Sequence, residues 1–334
     1  MEELNYNIEK YFDKDAHVWD QFLQQNTVNG TFLQSRNFLE YHPKGRFVDY
    51  SYIVYDKKGH IAAVCPACLI VNGNQRMLIS HQGSTFGGII FGKKYYCEHK
   101  IIEIIRCLEQ FWKCEKINCV ELRVTPELFS QENCAALEYG LYYCGYQDYV
   151  EVSTYIDYKY YENDILRNFE QGKRTNVHNC LKAGLVLREL NTDEQIAEFY
   201  QILCENLQKF DSMPVHTITE LLDFNNSRLT KECGFYGIYD EEKMLAGAMM
   251  FYFANVKVAH TQYLCALQSY YTLSPMTFLY YAMIREMREK GYEKISFGIS
   301  TEQHGKKLNF GLTKSKESFG GKHTLNRTYW KDLT

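Results

Sequence analysis

Apolar residues along this chain recur with two spacings, one typical of strands and one typical of helices. Two short apolar runs of strand length, divided by a polar turn, mark Tyr52–Val64 and again Tyr236–Ala248. Each segment therefore predicts a β-hairpin. The two segments align without gaps, so the sequence contains an internal repeat.

Helical patterns surround both hairpins in the same order. A helix and a short strand follow each hairpin, and helical stretches precede it. In the first copy, the helical stretches Ala16–Gln25 and Arg36–Tyr41 precede the hairpin, and the helix His99–Lys113 and the strand Cys119–Val124 follow it. In the second copy, the helical stretches Glu194–Gln208 and Ile218–Leu229 precede the hairpin, and the helix Pro275–Lys290 and the strand Lys294–Ile299 follow it. The strand Val258–Cys265 completes the second copy, and Glu162–Ala183 is predicted as a pair of helices. We expect a mixed α/β fold of two tandem domains, residues 1–150 and 151–334, each with the order α-α-β-β-β-α-β.

Composition narrows the function classes. The 334 residues are 46% hydrophobic and 23% charged, which is typical of folded domains. A net charge of −4 argues against DNA binding, and no apolar run is long enough for a transmembrane segment. The 12 cysteines are scattered, mostly in apolar contexts, and the N-terminal residues are polar, so we expect a reduced, cytoplasmic protein. Cys65 and Cys68 lie in an apolar run without a second cysteine pair, so no metal site is predicted.

Several segments resemble one family. The predicted element order is that of the GNAT acyltransferase fold. Within it, Thr31–Phe38, the basic stretch Lys173–Gly184, the strand residues His260–Tyr263 and the tail Lys307–Gly320 resemble the Fem-type peptidoglycan bridge-forming transferases and their FemAB-like relatives. The resemblance implies transfer of an acyl or aminoacyl group to an amine of a cell-wall or surface-polysaccharide precursor. It also implies that Asn309 contacts the substrate, and that Leu325–Lys331 returns to pair with the first domain.

Lysines in the tail are the first catalytic candidates. Acyl transfer needs an unprotonated amine and a positive or donor group facing the oxyanion. The resemblance implies that a lysine near the glycine-rich tail has this role, and Lys314 and Lys316 are the matching positions, with Lys316 preferred. Strand alternation over 312–316 would place both on one face. The alternative is an ordinary solvated face of an edge strand.

A basic helix and a polar strand supply candidates for substrate binding. Arg174, His178 and Lys182 recur every four residues and so share a helix face. By resemblance Arg174 contacts the diphosphate of a nucleotide-linked sugar, supported by Lys173 and Lys182. A solvated basic surface is the alternative.

On the strand, His260 and Gln262 are expected on one side and Tyr263 on the other. His260 is a candidate base or a hydrogen-bonded core histidine. The resemblance places Asp211 and His216 in an acceptor-lining loop, with a plain helix-capping loop as the alternative.

The acyl donor is the least defined part. Acyl-CoA is the first choice, with its pyrophosphate at the helix that Ser274 would cap. The glycine turn usual at such a site is missing from Gln268–Pro275. Aminoacyl-tRNA is the alternative donor, and a non-catalytic binding protein is the alternative from a different class. The acceptor is expected to be a nucleotide-linked or lipid-linked amino sugar or peptide.

Overall fold

The computed structural model describes residues 5–209 and 211–334. Contacts between residues divide the chain into two compact units. The first contains the residues up to Glu151 together with Leu325–Thr334, and the second contains Val152–Thr324. Among the described residues, no helix is both long and apolar enough to cross a bilayer.

The first unit is built from two sheets and the helices that cover them. In chain order its strands are β1 (Tyr6–Lys10), β2 (Tyr52–Asp56), β3 (Ile61–Cys65), β4 (Ala67–Asn72), β5 (Gln75–Ser80), β6 (Ile90–Phe91) and β7 (Cys119–Arg123), and its helices are α1 (Ala16–Asn26), α2 (Arg36–Leu39), α3 (Glu98–Cys114) and α4 (Ala135–Tyr143). Strands β1, β2, β3 and β6 are antiparallel neighbours in that order, whereas β5 pairs with β4 on one side and, in parallel, with β7 on the other. Near the end of the chain, Thr328–Asp332 pairs antiparallel with β7.

Helix α3 forms because its apolar residues follow the helical period. Ile101, Ile104, Ile105, Leu108 and Trp112 are all buried. Their spacing of three and four residues places them on one face, which packs on the core of the first unit.

The segment Thr31–Phe38 has a structural role in the first unit. Arg36 is 1% exposed, and its guanidinium lies 3.4 Å from the ring centre of Tyr11 and 4.1 Å from that of Trp19. The same group pairs with Asp49. The two aromatic faces and the carboxylate offset part of the hydration that this guanidinium loses, since Nε and one Nη atom have no acceptor among the described residues.

The second unit is one sheet with helices on both faces. In chain order its strands are β8 (Gln147–Asp157), β9 (Val186–Glu189), β10 (Cys233–Asp240), β11 (Lys243–Phe253), β12 (Val258–Ala266), β13 (Lys294–Ile299), β14 (Thr301–Glu302), β15 (Lys307–Leu308) and β16 (Lys322–Asp332), and its helices are α5 (Gln171–Lys182), α6 (Asp193–Gln208), α7 (Ile218–Asp223), α8 (Pro275–Glu289) and α9 (Phe310–Glu317). Strand β8 begins within the first unit, and β16 belongs to the first unit from Leu325 onward. The strand order is β8-β13-β12-β11-β10-β9, and β14 and β15 form a small hairpin of their own. Only β12 and β13 pair in parallel within this set.

The mixed α/β fold of two repeated units is therefore confirmed, with two local corrections. Residues 312–316, predicted as a strand, lie in helix α9, which begins where the Asn309 side chain accepts the Leu312 N–H. Glu162–Ala183 contains a short 3₁₀ turn followed by α5 rather than two helices. A short polar segment has too few apolar positions to distinguish a helical period from a strand period. For residues 312–316, the Asn309 cap stabilises the helix.

Gly320 ends the segment that follows α9, and its conformation requires glycine. Its φ is +81°, and a Cβ there would lie 3.0 Å from the Tyr161 ring and 3.1 Å from the Asn168 carbonyl oxygen. Gly184, after α5, has the same φ of +81° but no atom within 4 Å of a Cβ. Replacing each glycine by alanine therefore separates two free-energy costs. The cost of a left-handed backbone applies at both positions, and the cost of crowding applies at Gly320.

We predict that Gly184→Ala lowers the free energy of unfolding by about 1 kcal/mol, the cost of a left-handed alanine. Gly320→Ala should lower it by roughly a further 1–3 kcal/mol because the methyl group also overpacks its site. Urea unfolding of the two variants beside the parent chain measures both. Equal losses would contradict the close packing around Gly320.

Candidate functional site

Strands β12 and β13 part from each other in the second unit. Their parallel pairing covers only Val258–His260 against Lys294–Ser296. Beyond His260, β12 continues with β11 as its partner as far as Ala266, and beyond Ser296, β13 pairs with β8 at Ile299. The divergence leaves a notch between two neighbouring strands, where backbone groups are available to a ligand.

A β-bulge at Gln262 changes which side chains share a face of β12. Met249 faces Tyr263 and the next residue, Met250, faces Thr261, so Gln262 is an extra residue. Ala259, Leu264 and Ala266 all contact the core beneath α8. With strict alternation, residues 263 and 265 would share the face of Ala259, in place of Leu264 and Ala266.

The bulge therefore corrects the facing predicted from the sequence. His260 and Tyr263 both lie on the face opposite to α8, because the inserted residue shifts the alternation between them. The sequence contains no glycine or proline near Gln262 that marks the bulge.

His260 lies at the mouth of the notch, in a fixed orientation. Its Nδ1 is 3.1 Å from Ser296 Oγ, and Ser296 Oγ accepts the Gly298 N–H at 3.3 Å. The serine hydroxyl is therefore free to donate its proton to Nδ1. Burial, followed by the nearby charge of Lys316, lowers the pKa of His260 to about 4. The ring is neutral at neutral pH.

Lys316 is a buried cation held by neutral acceptors. Its side chain projects from α9, and the residue is 2% exposed. The ammonium donates to Gly298 O at 2.9 Å, to Ile299 O at 2.8 Å and to Ser300 Oγ at 2.9 Å. Among the described residues no carboxylate pairs with it, and burial lowers its pKa to about 8. The positive charge thus lies against the corner that follows β13.

The structure places Lys314 and Asn309 differently from Lys316. Two positions along a helix are separated by about 200°, so Lys314 and Lys316 point in opposite directions. Lys314 is exposed whereas Lys316 is buried, which corrects the shared face expected from strand alternation. Asn309 is engaged as the cap of α9, where its Oδ1 accepts the Leu312 N–H at 3.0 Å.

Tyr263, which is half-buried, and His216, which is buried, form a hydrogen-bonded pair on the His260 face. The Tyr263 hydroxyl and His216 Nδ1 are 2.7 Å apart. Burial raises the pKa of Tyr263 to about 12, although hydrogen bonds from the His216 and Val215 amides and the Gln262 side chain act in the opposite direction. The direction of the hydrogen bond between the two side chains depends on which nitrogen of His216 carries the proton. Asp211, from the same loop, is exposed.

Helix α5 carries the basic residues identified in the sequence. Lys173 Nζ lies 4.8 Å from the Phe319 ring centre and 3.4 Å from Ser315 Oγ, so it contacts α9 next to Lys316. Burial lowers the pKa of Lys173. Arg174 is half-buried and Lys182 is exposed.

The start of α8 is poorly equipped to cradle a pyrophosphate. Ser274 occupies the cap position with φ +58° and makes no side-chain capping hydrogen bond, contrary to prediction. Pro275 has no N–H, and the Thr277 and Phe278 amides donate to Ser274 O at 3.0 and 3.3 Å. Of the first turn, only the Met276 amide is left for an anion.

Sequence inspection missed the partners of the two central side chains. Ser296, Gly298 and Ser300 bind His260 and Lys316, and they follow one another with alternating spacing at the end of β13. Gly298 has φ +67°, and a Cβ there would lie 3.4 Å from the His260 ring. The pattern Ser-x-Gly-x-Ser at the end of an apolar strand is the sequence signal that marks this corner.

No protein-family model matches the sequence. No curated protein matches it either. The structure, in contrast, resembles solved structures over nearly its full length.

FemX has a TM-score of 0.68 at 12% identity, with 96% of each chain covered. L-PGS from Bacillus licheniformis has a TM-score of 0.61 at 12% identity, covering 95% of this chain and 91% of its own. A tandem GNAT protein from the clavulanic acid biosynthesis pathway has a TM-score of 0.55 at 10% identity, covering 98% of this chain and 99% of its own. At these identities the likeness concerns the fold, and it confirms a FemX-like, tandem GNAT-type fold.

We predict that His260 makes the protein less stable in mild acid. Its folded pKa of about 4 lies below the value near 6.5 of an unfolded histidine, so the unfolded chain binds the proton first as the pH falls. The free energy of unfolding should therefore decrease between about pH 6.5 and pH 4. His260→Gln should have a shallower slope than the parent chain in urea unfolding across this range. His178→Gln, at an exposed position on α5, is the control and should leave the slope unchanged.

Proposed function

We propose that this chain is an N-acyltransferase that moves an acyl or aminoacyl group to an amine of a cell-wall or surface-polysaccharide precursor. The observation that carries the proposal is the buried Lys316 ammonium beside the parted strands of a GNAT-type sheet. A cation withdrawn from water and unpaired with any described carboxylate is costly to maintain. The cost is explained if the reaction develops negative charge at this point, because the buried cation then stabilises the transition state.

Lys316 is assigned to the developing oxyanion. When an amine attacks the carbonyl of the donor, charge collects on the carbonyl oxygen, and a fixed cation in a site with little water stabilises it strongly. Lys316 Nζ donates to Ser300 Oγ, which makes the serine hydroxyl a better donor in turn. The oxyanion is met either by this hydroxyl or by Nζ after it leaves Ser300.

His260 is assigned a positioning role rather than that of a general base. A base with a pKa of about 4 is too weak to deprotonate an alkylammonium, whose pKa lies several units higher. Each unit of that difference costs about 1.4 kcal/mol. We propose that the amine arrives uncharged, that the bond from the carbonyl carbon to the leaving oxygen or sulfur of the donor breaks as the amide forms, and that the proton of the attacking nitrogen passes to that leaving group. His260 holds Ser296 and so the Gly298 corner against which Lys316 is bound.

The acceptor is proposed to lie along the His260 face. Tyr263 lines this side, with Gln262 beside it, and His216 acts through Tyr263 because it lies buried behind the phenol. Asp211 is exposed near the start of the same loop. Arg174, Lys173 and Lys182 on α5 are proposed to hold the phosphates of a nucleotide-linked or lipid-linked acceptor.

The donor is proposed to be an activated ester or thioester. Acyl-CoA would need a pyrophosphate site, and the first turn of α8 does not fit that need at Ser274 because one amide is all it offers. This geometry favours aminoacyl-tRNA as the donor over acyl-CoA. The same geometry supports the alternative of a non-catalytic protein that binds the precursor.

We predict that Lys316→Gln reduces the rate of transfer about 100-fold or more, the usual effect of losing one oxyanion donor. Lys314→Gln, two positions away on the exposed side of α9, is the matched control and should retain the parent rate. The assay follows transfer of radiolabelled amino acid from aminoacyl-tRNA, or of acetyl from acetyl-CoA, to UDP-linked muropeptide. Thermal melting of both variants checks that they remain folded.

The pH dependence of the rate is a second test of the role of Lys316. The fraction of uncharged acceptor amine rises with pH equally for every variant, so the informative quantity is the rate of the parent chain relative to Lys316→Arg. This ratio should fall as the pH rises through about 8, where Lys316 loses its proton and the arginine does not. A ratio that remains level to pH 10 would rule out a charged Lys316 in the transition state.

Thermal shifts should identify the ligands. We expect UDP-linked muropeptide to raise the melting temperature, because it binds only the folded chain, and Arg174→Ala to reduce the rise. Coenzyme A should raise the melting temperature no more than uridine monophosphate does, because the α8 terminus offers its pyrophosphate one amide. A larger shift with coenzyme A would contradict the assignment of the α8 terminus, and binding without any transfer would favour the non-catalytic alternative.

A further inference from the structure

The first unit contains a cleft with a volume of about 630 Å³. One wall is helix α1, which presents Val18, Gln21, Phe22 and Gln25 to the cleft. The spacing of three and four residues makes these positions one stripe along the helix. The β2–β3 hairpin and the loop Gly92–Tyr95, which leads to α3, form the other walls. The volume is in the range of small-molecule sites.

The lining combines an apolar floor with unused hydrogen-bonding groups. Phe22, Tyr55 and Ile61 supply apolar surface. Gln21, Gln25 and Asn26 line the same space and are exposed to solvent. Within the described part of the chain, these amides make no hydrogen bond to protein. Such groups are available to the oxygen and nitrogen atoms of a ligand.

The charge of the cleft is positive. Lys93 and Lys94 lie in its wall, and His60 Nδ1, also in the wall, is 3.3 Å from Asp56 Oδ2. Lys93 forms no ion pair with any described carboxylate. Lys94 lies 4.0 Å from Asp56 Oδ2, a weak contact. No acidic side chain is among the residues that line the cleft.

Asp56 offsets part of this charge, because its carboxylate stays ionised and lies near Lys94, but the two lysines in the wall outnumber it. Its carboxylate accepts the Tyr95 hydroxyl at 2.6 Å and the backbone amides of Lys58 and His60 at 2.8 and 2.9 Å. These hydrogen bonds, that from Tyr95 foremost, hold the pKa of Asp56 well below its usual range. Asp56 therefore fixes the hairpin turn and the Gly92–Tyr95 loop.

We infer that this cleft binds an organic phosphate of about mononucleotide size. The two lysines favour the phosphate, which each would bind as a point charge. The aromatic and aliphatic floor favours a flat or apolar body, and the amides favour the hydroxyl groups of a sugar or the edge of a base. The site belongs to the first unit and goes beyond the transfer proposed for the second.

The test is calorimetric titration of the intact chain with uridine monophosphate, N-acetylglucosamine 1-phosphate, inorganic phosphate and uridine. We expect at least one of the two organic phosphates to bind, and to bind at least tenfold more tightly than inorganic phosphate or uridine. Lys93→Ala/Lys94→Ala should weaken that binding at least tenfold. Gln25→Ala should weaken the binding of the organic phosphate but not the binding of inorganic phosphate. Lys14→Ala/Lys113→Ala, which removes two exposed lysines of the same unit outside the cleft, should bind as the parent does.

Three results would overturn the inference: no binding of either organic phosphate at millimolar concentration, equal binding of inorganic phosphate, or unchanged binding in Lys93→Ala/Lys94→Ala. The proposed transfer site is tested separately by Arg174→Ala. If that variant loses the organic phosphate while Lys93→Ala/Lys94→Ala keeps it, the ligand binds on α5 and the cleft is excluded. Binding that survives in both Arg174→Ala and Lys316→Gln supports the cleft whether or not the chain catalyses transfer.

Discussion

The second unit depends on one unusual interaction, the burial of the Lys316 ammonium against a corner of backbone. A cation moved out of water loses hydration worth far more than a single hydrogen bond returns, so every proton of the ammonium must be engaged. Gly298, Ile299 and Ser300 engage all of them. The left-handed φ of Gly298 turns its carbonyl oxygen, and that of the next residue, toward α9.

Two further features rest on this interaction. The corner that Lys316 binds is the point where β13 leaves β12, so the ammonium supports the parted geometry of the strands. Ser296 connects the corner to His260 through its hydroxyl. Consequently the charge, the corner and the neutral imidazole form one connected group, and a change in any member alters the electrostatic environment of the others.

The sequence was sufficient for the repeated units and for most of their elements, because long amphipathic helices and hairpins have a clear period. It was insufficient for α9, where the Asn309 cap outweighs the few apolar positions in a segment of eight residues. Lys316 was found through a family resemblance, but its burial was not, since burial depends on a corner 16 to 18 residues away along the chain. The pairing of His216 with Tyr263, which are 47 residues apart, is likewise a product of tertiary structure.

The bulge at Gln262 has a consequence for the length of β12. Removal of Gln262 would restore strict alternation and would leave His260 and Tyr263 together on the face opposite to α8, because Ala259 and Leu264 would still share the core face. A second deletion between His260 and Tyr263 would turn one of the two toward the core. The strand therefore tolerates one residue fewer but not two. A sequence alignment that opens a one-residue gap at Gln262 keeps the residues of the site in register, whereas a gap of two assigns the wrong residues to it.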